Sequence, residues 1–287
     1  MKDLIVLVTM TKDNACTYLK SQVYSKLNTF NVKIVSLLHP KRIPILKNSV
    51  YLILKDINKL HPEVLKIIKH NNNIIIYDLV DAFCRETTLY FDKIIEYSLK
   101  VDEIICNSAY HKNILSQHLS LSLSYAYHHS DSRIQNTNNR KNDVFYIGLL
   151  RKQSLTIEQM KQFNINSYVP SLRNIKHLVS GIHFDFVLPS DLQYIFHTTT
   201  KLATALYTNS IFICNKQPIY LELLGEDYDL YIQDDLSNIQ DIIHKAKSIF
   251  NDNSLFNDYL NKYKHVRDKI SLNTCISMYK CILEKYE

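Results

Sequence analysis

The 287-residue chain has three glycines, no tryptophan and no C-x-x-C pair. Gly148, Gly181 and Gly225 are too few and too scattered for a G-x-G-x-x-G dinucleotide fingerprint or a P-loop. Both motifs need several glycines so that backbone can approach phosphate. Any nucleotide must be held another way. The six cysteines, at 16, 84, 106, 214, 275 and 281, lack metal or redox spacing and mostly stand in apolar runs. They read as reduced core residues of a cytosolic-type compartment. No apolar run approaches the ~20 residues of a spanning helix. The run of about five in "MKDLIVLVTMTKDN" is too short for a signal peptide. A cytoplasmic protein is therefore expected. The net charge of +6 comes from scattered lysines. Nucleic acid is not the partner this demands. A phosphorylated ligand, or a peripheral contact with an anionic membrane face, fits as well.

What is present is alternation. Short apolar runs at 3–9, 31–38, 50–55, 73–80, 102–108 and 122–127 predict strands. Stretches with helical spacing at 14–29, 60–70 and up to about 99 lie between them. Continuous apolar strands alternating with helices predict parallel sheets covered on both faces. The segment "HHSDSRIQNTNNRKND" (128–143) is almost free of apolar residues and reads as a linker. A second series follows, with strands at 143–150, 165–169, 183–188, 210–215 and 228–233. Helices are expected near 155–164, 171–180, from about 200, at 217–224, and onward to the end. The expected fold is α/β, with two doubly wound Rossmann-like domains at 1–135 and 142–270.

The order of "KLATALYTNSIFICNKQPIYLELL" followed by "YDLYIQDDLSNIQDII", over Phe196 to Ile243, resembles the donor-binding domain of GT-B glycosyltransferases, retaining branch. "DVFYIG" (143–148) looks like the first strand of the nucleotide-binding half, and "YHHSD" (127–131) like the interdomain segment. The resemblance is atypical. Thr204 stands where the family has the second of a glutamate pair, and Asn209 where it has a glycine. It implies two domains facing across a cleft, with a C-terminal helix (271–287) packing back on the first. It also implies a nucleotide diphosphate sugar as donor, a glycan or other hydroxyl acceptor, and no cofactor.

Several residues carry candidate chemistry. A helix N-terminus binds anions through its unpaired N–H groups, without glycines. The helix after "HTTT" therefore offers Thr198, Thr199 and Thr200 as hydroxyl donors, unless one is the cap, and Lys201 as a cation against a departing diphosphate. Removing Lys201 from such a surface helix is expected to leave stability unchanged. The resemblance places Glu222 on the ribose hydroxyls and Gly148 at the donor. His128, beside His129, is a sugar or phosphate contact or a base. Asp81, with Asp78, sits where a strand yields to a loop, and either can orient or deprotonate an acceptor hydroxyl, unless it caps the following helix, a role that suits Asp78 better. No D-x-D motif or paired His/Cys spacing suggests a metal. The basic "HPKR" (39–42) reads as a solvated loop that an anionic acceptor or lipid could meet. The expected activity is metal-independent glycosyl transfer. The alternatives are a glycosyltransferase acting on nucleic-acid bases and a degenerate GT-B subunit that binds without catalysis.

Overall fold

The computed structural model describes residues 1–8, 15–37, 39–55, 57–80, 87–131, 133–134, 140–147, 155–168 and 180–287. Asp81 and Gly148, and the helix expected near 171–180, lie outside these residues. The chain divides into two units, Met1–Tyr127 with Asn273–Glu287, and His128–Leu272.

The first unit runs β1 (Lys2–Val8), α1 (Ala15–Tyr24), β2 (Phe30–Ser36), β3 (Val50–Leu54), α2 (Pro62–His70), β4 (Ile74–Asp78), α3 (Thr87–Ser98), β5 (Glu103–Cys106), α4 (Ala109–Ser116) and β6 (Ser122–Tyr125). Its sheet is parallel throughout, in the order β2-β1-β3-β4-β5-β6. Leu4 to Val8 and Val50 to Leu54 are all buried, as strands covered on both faces require. Helix α4 was not foreseen. Ser108 caps it by accepting from the His111 backbone N–H. The "HPKR" stretch forms one exposed 3-10 turn, Pro40–Arg42.

The second unit runs β7 (Arg140–Ile147), α5 (Ile157–Gln162), β8 (Ile165–Tyr168), β9 (Ser180–Asp185), α6 (Leu192–Ile195), α7 (Thr200–Tyr207), β10 (Ile211–Asn215), α8 (Pro218–Leu224), β11 (Tyr231–Ile232), α9 (Ile239–Asn251), α10 (Asn253–Lys262) and α11 (Lys264–Lys269). Its parallel sheet has the order β11-β10-β9-β7-β8. The last helix, α12 (Leu272–Glu284), joins the first unit from Asn273 on.

Two glycines are explained by local geometry. A Cβ on Gly181 would lie 2.8 Å from the Phe145 ring, so β9 can approach β7 only without one. Gly225 ends α8 at φ 83, a conformation that side chains disfavour.

Three expectations need correction. The strand expected at 228–233 is only Tyr231–Ile232, because Tyr228 turns inward to donate to the Phe212 carbonyl. The polar stretch 128–143, expected as a linker, is buried at its start. His128, His129, Ser130 and Asp131 are buried, whereas 140–143 are exposed and begin β7. Asp131 accepts from the Arg133 backbone N–H and guanidinium. Cysteines 106, 214 and 275 are buried as expected, but Cys281 is exposed.

Candidate active site

The second sheet reverses its order between β7 and β9. From β7 the chain steps to β8 on one side, then returns to β9, β10 and β11 on the other. The crevice at the C-terminal ends of β7 and β9 is where doubly wound sheets take ligands. Tyr146 pairs in register with Phe184, and Asp185 ends β9, so these two residues flank the reversal.

Lys201, in the first turn of α7, joins them. Its ammonium donates to Asp185 Oδ1 and lies 4.1 Å from the centroid of the Tyr146 ring. The other Asp185 oxygen accepts from the Tyr220 hydroxyl at 2.6 Å and from Gln217 Nε2 at 3.4 Å, and stands 3.3 Å from His197 Nε2. Strand end, α7 start and α8 thus converge on one carboxylate. The Asp185 side chain has no exposure, whereas that of Lys201 keeps 20%. The opening of α8 follows from its sequence, with Pro218 in its first turn and Tyr220 buried beneath it.

Burial alone would raise the Asp185 carboxyl. Lys201, then His197, outweigh that and pull it down to about 2. Burial would likewise lower the Lys201 ammonium, but Asp185 overrides this and holds it above the ordinary lysine value. Burial first, and Asp185 second, push the Tyr220 hydroxyl well up, so it remains a donor. The pair is therefore ionised over the whole neutral range, with the cation on the more accessible side.

The threonines divide in role. Thr199 is fully buried, its hydroxyl donating to the His128 carbonyl and accepting from the His128 N–H at 2.9 Å. It does not cap α7. Its place as a phosphate donor is corrected, since backbone already occupies the hydroxyl. Thr198 and Thr200 are half-buried with hydroxyls 3.2 Å apart, and Thr200 Oγ1 stands 3.5 Å from His128 Nδ1. The structure therefore brings together His128, Thr198, Thr199, Thr200 and Lys201. Glu222 lies half-buried on α8, the helix that also carries Tyr220.

Sequence reasoning missed Asp185, Tyr220, Gln217, His197 and Tyr146. Only Asp185 left a signal, a carboxylate inside the apolar run "HFDFVL".

No family model matches the chain, and no curated protein matches it in sequence. Solved structures do match. AviGT4, a glycosyltransferase involved in avilamycin A biosynthesis, aligns with TM-score 0.60 at 6% identity, over 99% of this chain and 96% of that one. Anabaena Alr3699/HepE, solved in complex with UDP, aligns with TM-score 0.60 at 9% identity, over 99% and 100%. The fold is that of the GT-B glycosyltransferases.

TarM aligns with TM-score 0.54 at 10% identity over 87% of this chain. The chain spans only 57% of the length of TarM. In this GT-B fold the two departures noted in the sequence have local explanations. Asn209 adopts φ 50, the left-handed conformation that asparagine tolerates best after glycine. Thr204 is buried and donates back to the Thr200 carbonyl at 2.8 Å, so the position of the second glutamate carries a hydroxyl turned into its own helix.

Proposed function

We propose that the protein is a glycosyltransferase that moves a hexosyl or related sugar from a nucleotide diphosphate sugar to a hydroxyl acceptor on a glycan, lipid-linked or protein-linked. The observation that carries this reading is the Lys201 ammonium at the start of α7, beside the strand-order reversal of the second sheet. A leaving diphosphate gains negative charge as the glycosidic bond breaks. A cation already fixed there stabilises the transition state more than the ground state. The ion pair to Asp185 orients Lys201 in advance, so little reorganisation is needed during the reaction.

In this proposal Thr198 and Thr200 offer hydroxyls to phosphate oxygens, and Glu222 accepts from the ribose. Gly148, outside the described residues, is assigned to the donor by the resemblance alone. His128 and Asp81 serve the sugar and the acceptor. The complexes of HepE with UDP and of S. aureus TarM with UDP support a nucleoside diphosphate as the leaving group. Metal independence belongs to the proposal, and turnover that survives chelation tests it.

The test is calorimetric titration with nucleoside diphosphates, followed by a donor-hydrolysis assay without acceptor. The expected result is binding together with release of nucleoside diphosphate from the donor. Absence of nucleoside diphosphate binding would defeat the reading. A second reading, a GT-B subunit that binds without catalysis, is favoured by Thr204 in place of the glutamate and by Asp185 already serving as the counter-ion of Lys201. Binding without release supports that reading instead.

A further inference from the structure

The first unit carries a second basic feature, on a helical face of its sheet. The crossovers β3-α2-β4 and β4-α3-β5 run in the same direction across the sheet, so their right-handedness places α2 and α3 side by side on one face. Lys69, late in α2, donates to the carbonyl of Leu99, just past α3, at 3.1 Å, so the two helices also end close together. A groove of about 830 Å³ follows them. Lys66, Lys69, Lys93, Lys100 and His70 line it, against the single carboxylate Glu96, which Lys100 already pairs. Lys66 and Lys93 have no ion pair among the described residues. Lys93 and Lys100 lie about 10 Å apart along α3 and its end, and Lys66 and Lys69 about 5 Å apart along α2, at the rise of an α-helix. The positive charge is thus strung along the groove rather than gathered at one point.

We propose that this groove binds an extended acidic glycan, a polysaccharide that carries carboxylate, sulfate or phosphate groups along its length. A single small anion engages one or two of these lysines, whereas a chain with recurrent charge engages the row. The floor is apolar, with Ile57, Leu60 and Tyr97 buried, and the C–H faces of sugar rings can lie on it. Nucleic acid fits less well. Among the described residues Tyr97 is the one Phe, Tyr or Trp that lines the groove, and it packs edge-on with Tyr77, centroids 6.0 Å apart. The Lys100 ammonium lies 5.5 Å from its centroid, so no free ring is left for a base to stack on. A bilayer fits less well too, because Ile67, Ile95 and Leu99, the exposed aliphatic side chains here, do not line the groove. Ile57, Leu60 and Pro62 bring the groove to the start of α2, past the C-terminal end of β3. A glycan held there reaches the sheet edge at which doubly wound domains take their ligands. Such a glycan is then the acceptor class of the glycosyl transfer proposed above; that role rests on that reading, and the binding does not.

The test is calorimetric titration of the full-length protein, without donor, with a sized heparin oligosaccharide as the acidic glycan and with neutral dextran. Binding is expected for heparin alone, weakening as salt rises. Lys66→Ala/Lys93→Ala should weaken it about tenfold, the loss of two exposed charge contacts, and Lys66→Arg/Lys93→Arg should retain it. Lys26→Ala/Lys47→Ala removes the same net charge from exposed positions outside the groove and should leave binding unchanged. An unchanged thermal melt confirms that the variants fold. No heparin binding, equal binding of dextran, or equal weakening by the two alanine variants overturns the proposal, the last because net charge alone then accounts for it. Tighter binding of a single-stranded oligonucleotide of the same charge, or of anionic vesicles without heparin binding, also overturns it. Absence of heparin binding with nucleoside diphosphate binding intact overturns the groove assignment and leaves the donor site standing. Heparin binding without nucleoside diphosphate binding supports the groove and removes only the acceptor role.

Discussion

Each unit buries one aspartate at the C-terminal end of a parallel strand, and each pairs it with a lysine. In the first unit Asp78, ending β4, lies 3.2 Å from Lys20 of α1 and accepts from the hydroxyls of Tyr24, at 2.7 Å, and Tyr279. In the second, Asp185 holds Lys201 and Tyr220. Both lysines also lie over a tyrosine ring, Lys20 at 4.7 Å from Tyr279 and Lys201 at 4.1 Å from Tyr146. The chemistry is nearly the same, but the access differs. The Lys20 side chain is 4% exposed, and Tyr279, far along the chain, closes over it. Lys201 is 20% exposed and stands at a helix start. The first pair is a clasp that ties α12 to the sheet of its unit. The second leaves one side of its cation open, which the proposed function uses. The two pairs differ in the access of the cation, not in its partners.

The largest expected effect tests the clasp. Asp78→Ala leaves Lys20 buried without its counter-ion, and losing one partner of such a pair costs about 3–5 kcal/mol. Urea unfolding should show this, and hydrogen exchange should rise across α12. An unchanged midpoint would mean that the two pairs are not alike.

Lys201 comes next. Replacing it by Ala should lower turnover by about 10²–10³ fold, the loss of one preorganised electrostatic contact. The structure also reverses the sequence-based expectation about stability. Asp185 would be left buried without its ammonium partner, so Lys201→Ala should be destabilised as well. Pairing Lys201→Met with Asp185→Asn removes both charges. If the site is catalytic, the double variant recovers its melting temperature but not its turnover. Recovery of both would make Lys201 a second structural clasp.

A pH effect follows. Asp185 titrates at about 2 in the folded chain against an ordinary 3.8. Its contribution is complete above about pH 4 and is lost as pH falls through 2, a change on the order of 2 kcal/mol. Acid titration of stability should show this slope, and Asp185→Asn should remove it. The smallest effect concerns α8. Glu222→Ala should weaken nucleoside diphosphate binding about tenfold, as judged by one hydrogen-bonding group lost, with little change in stability. Unchanged affinity in calorimetry would confine the site to α7.

Much of the architecture was legible in the sequence because strands and helices have different periods. "DLIVLV" and "VYLILK" are continuous apolar runs, and "PEVLKIIKH" is amphipathic with proline in its first turn. Lys201 was legible as a candidate because a cation just inside a helix start is read from local sequence. The buried state of "HHSD" was not. Polar residues read as solvated unless their partners are known, and the partner of His128 is Thr199, distant in sequence. The same limit hid the fates of Thr199 and of Tyr220.

What the sequence determined by itself was therefore local: the alternation of elements, the scarcity of glycine that excludes a phosphate loop, and a cation at the start of one helix. The tertiary structure alone decided that β7 and β9 are neighbours, because strand order is set by packing and not by chain order. That adjacency put Tyr146, Asp185 and Lys201 together and took the carboxylate out of water. Desolvation and pairing are properties of the assembled neighbourhood, which no single segment of the chain contains.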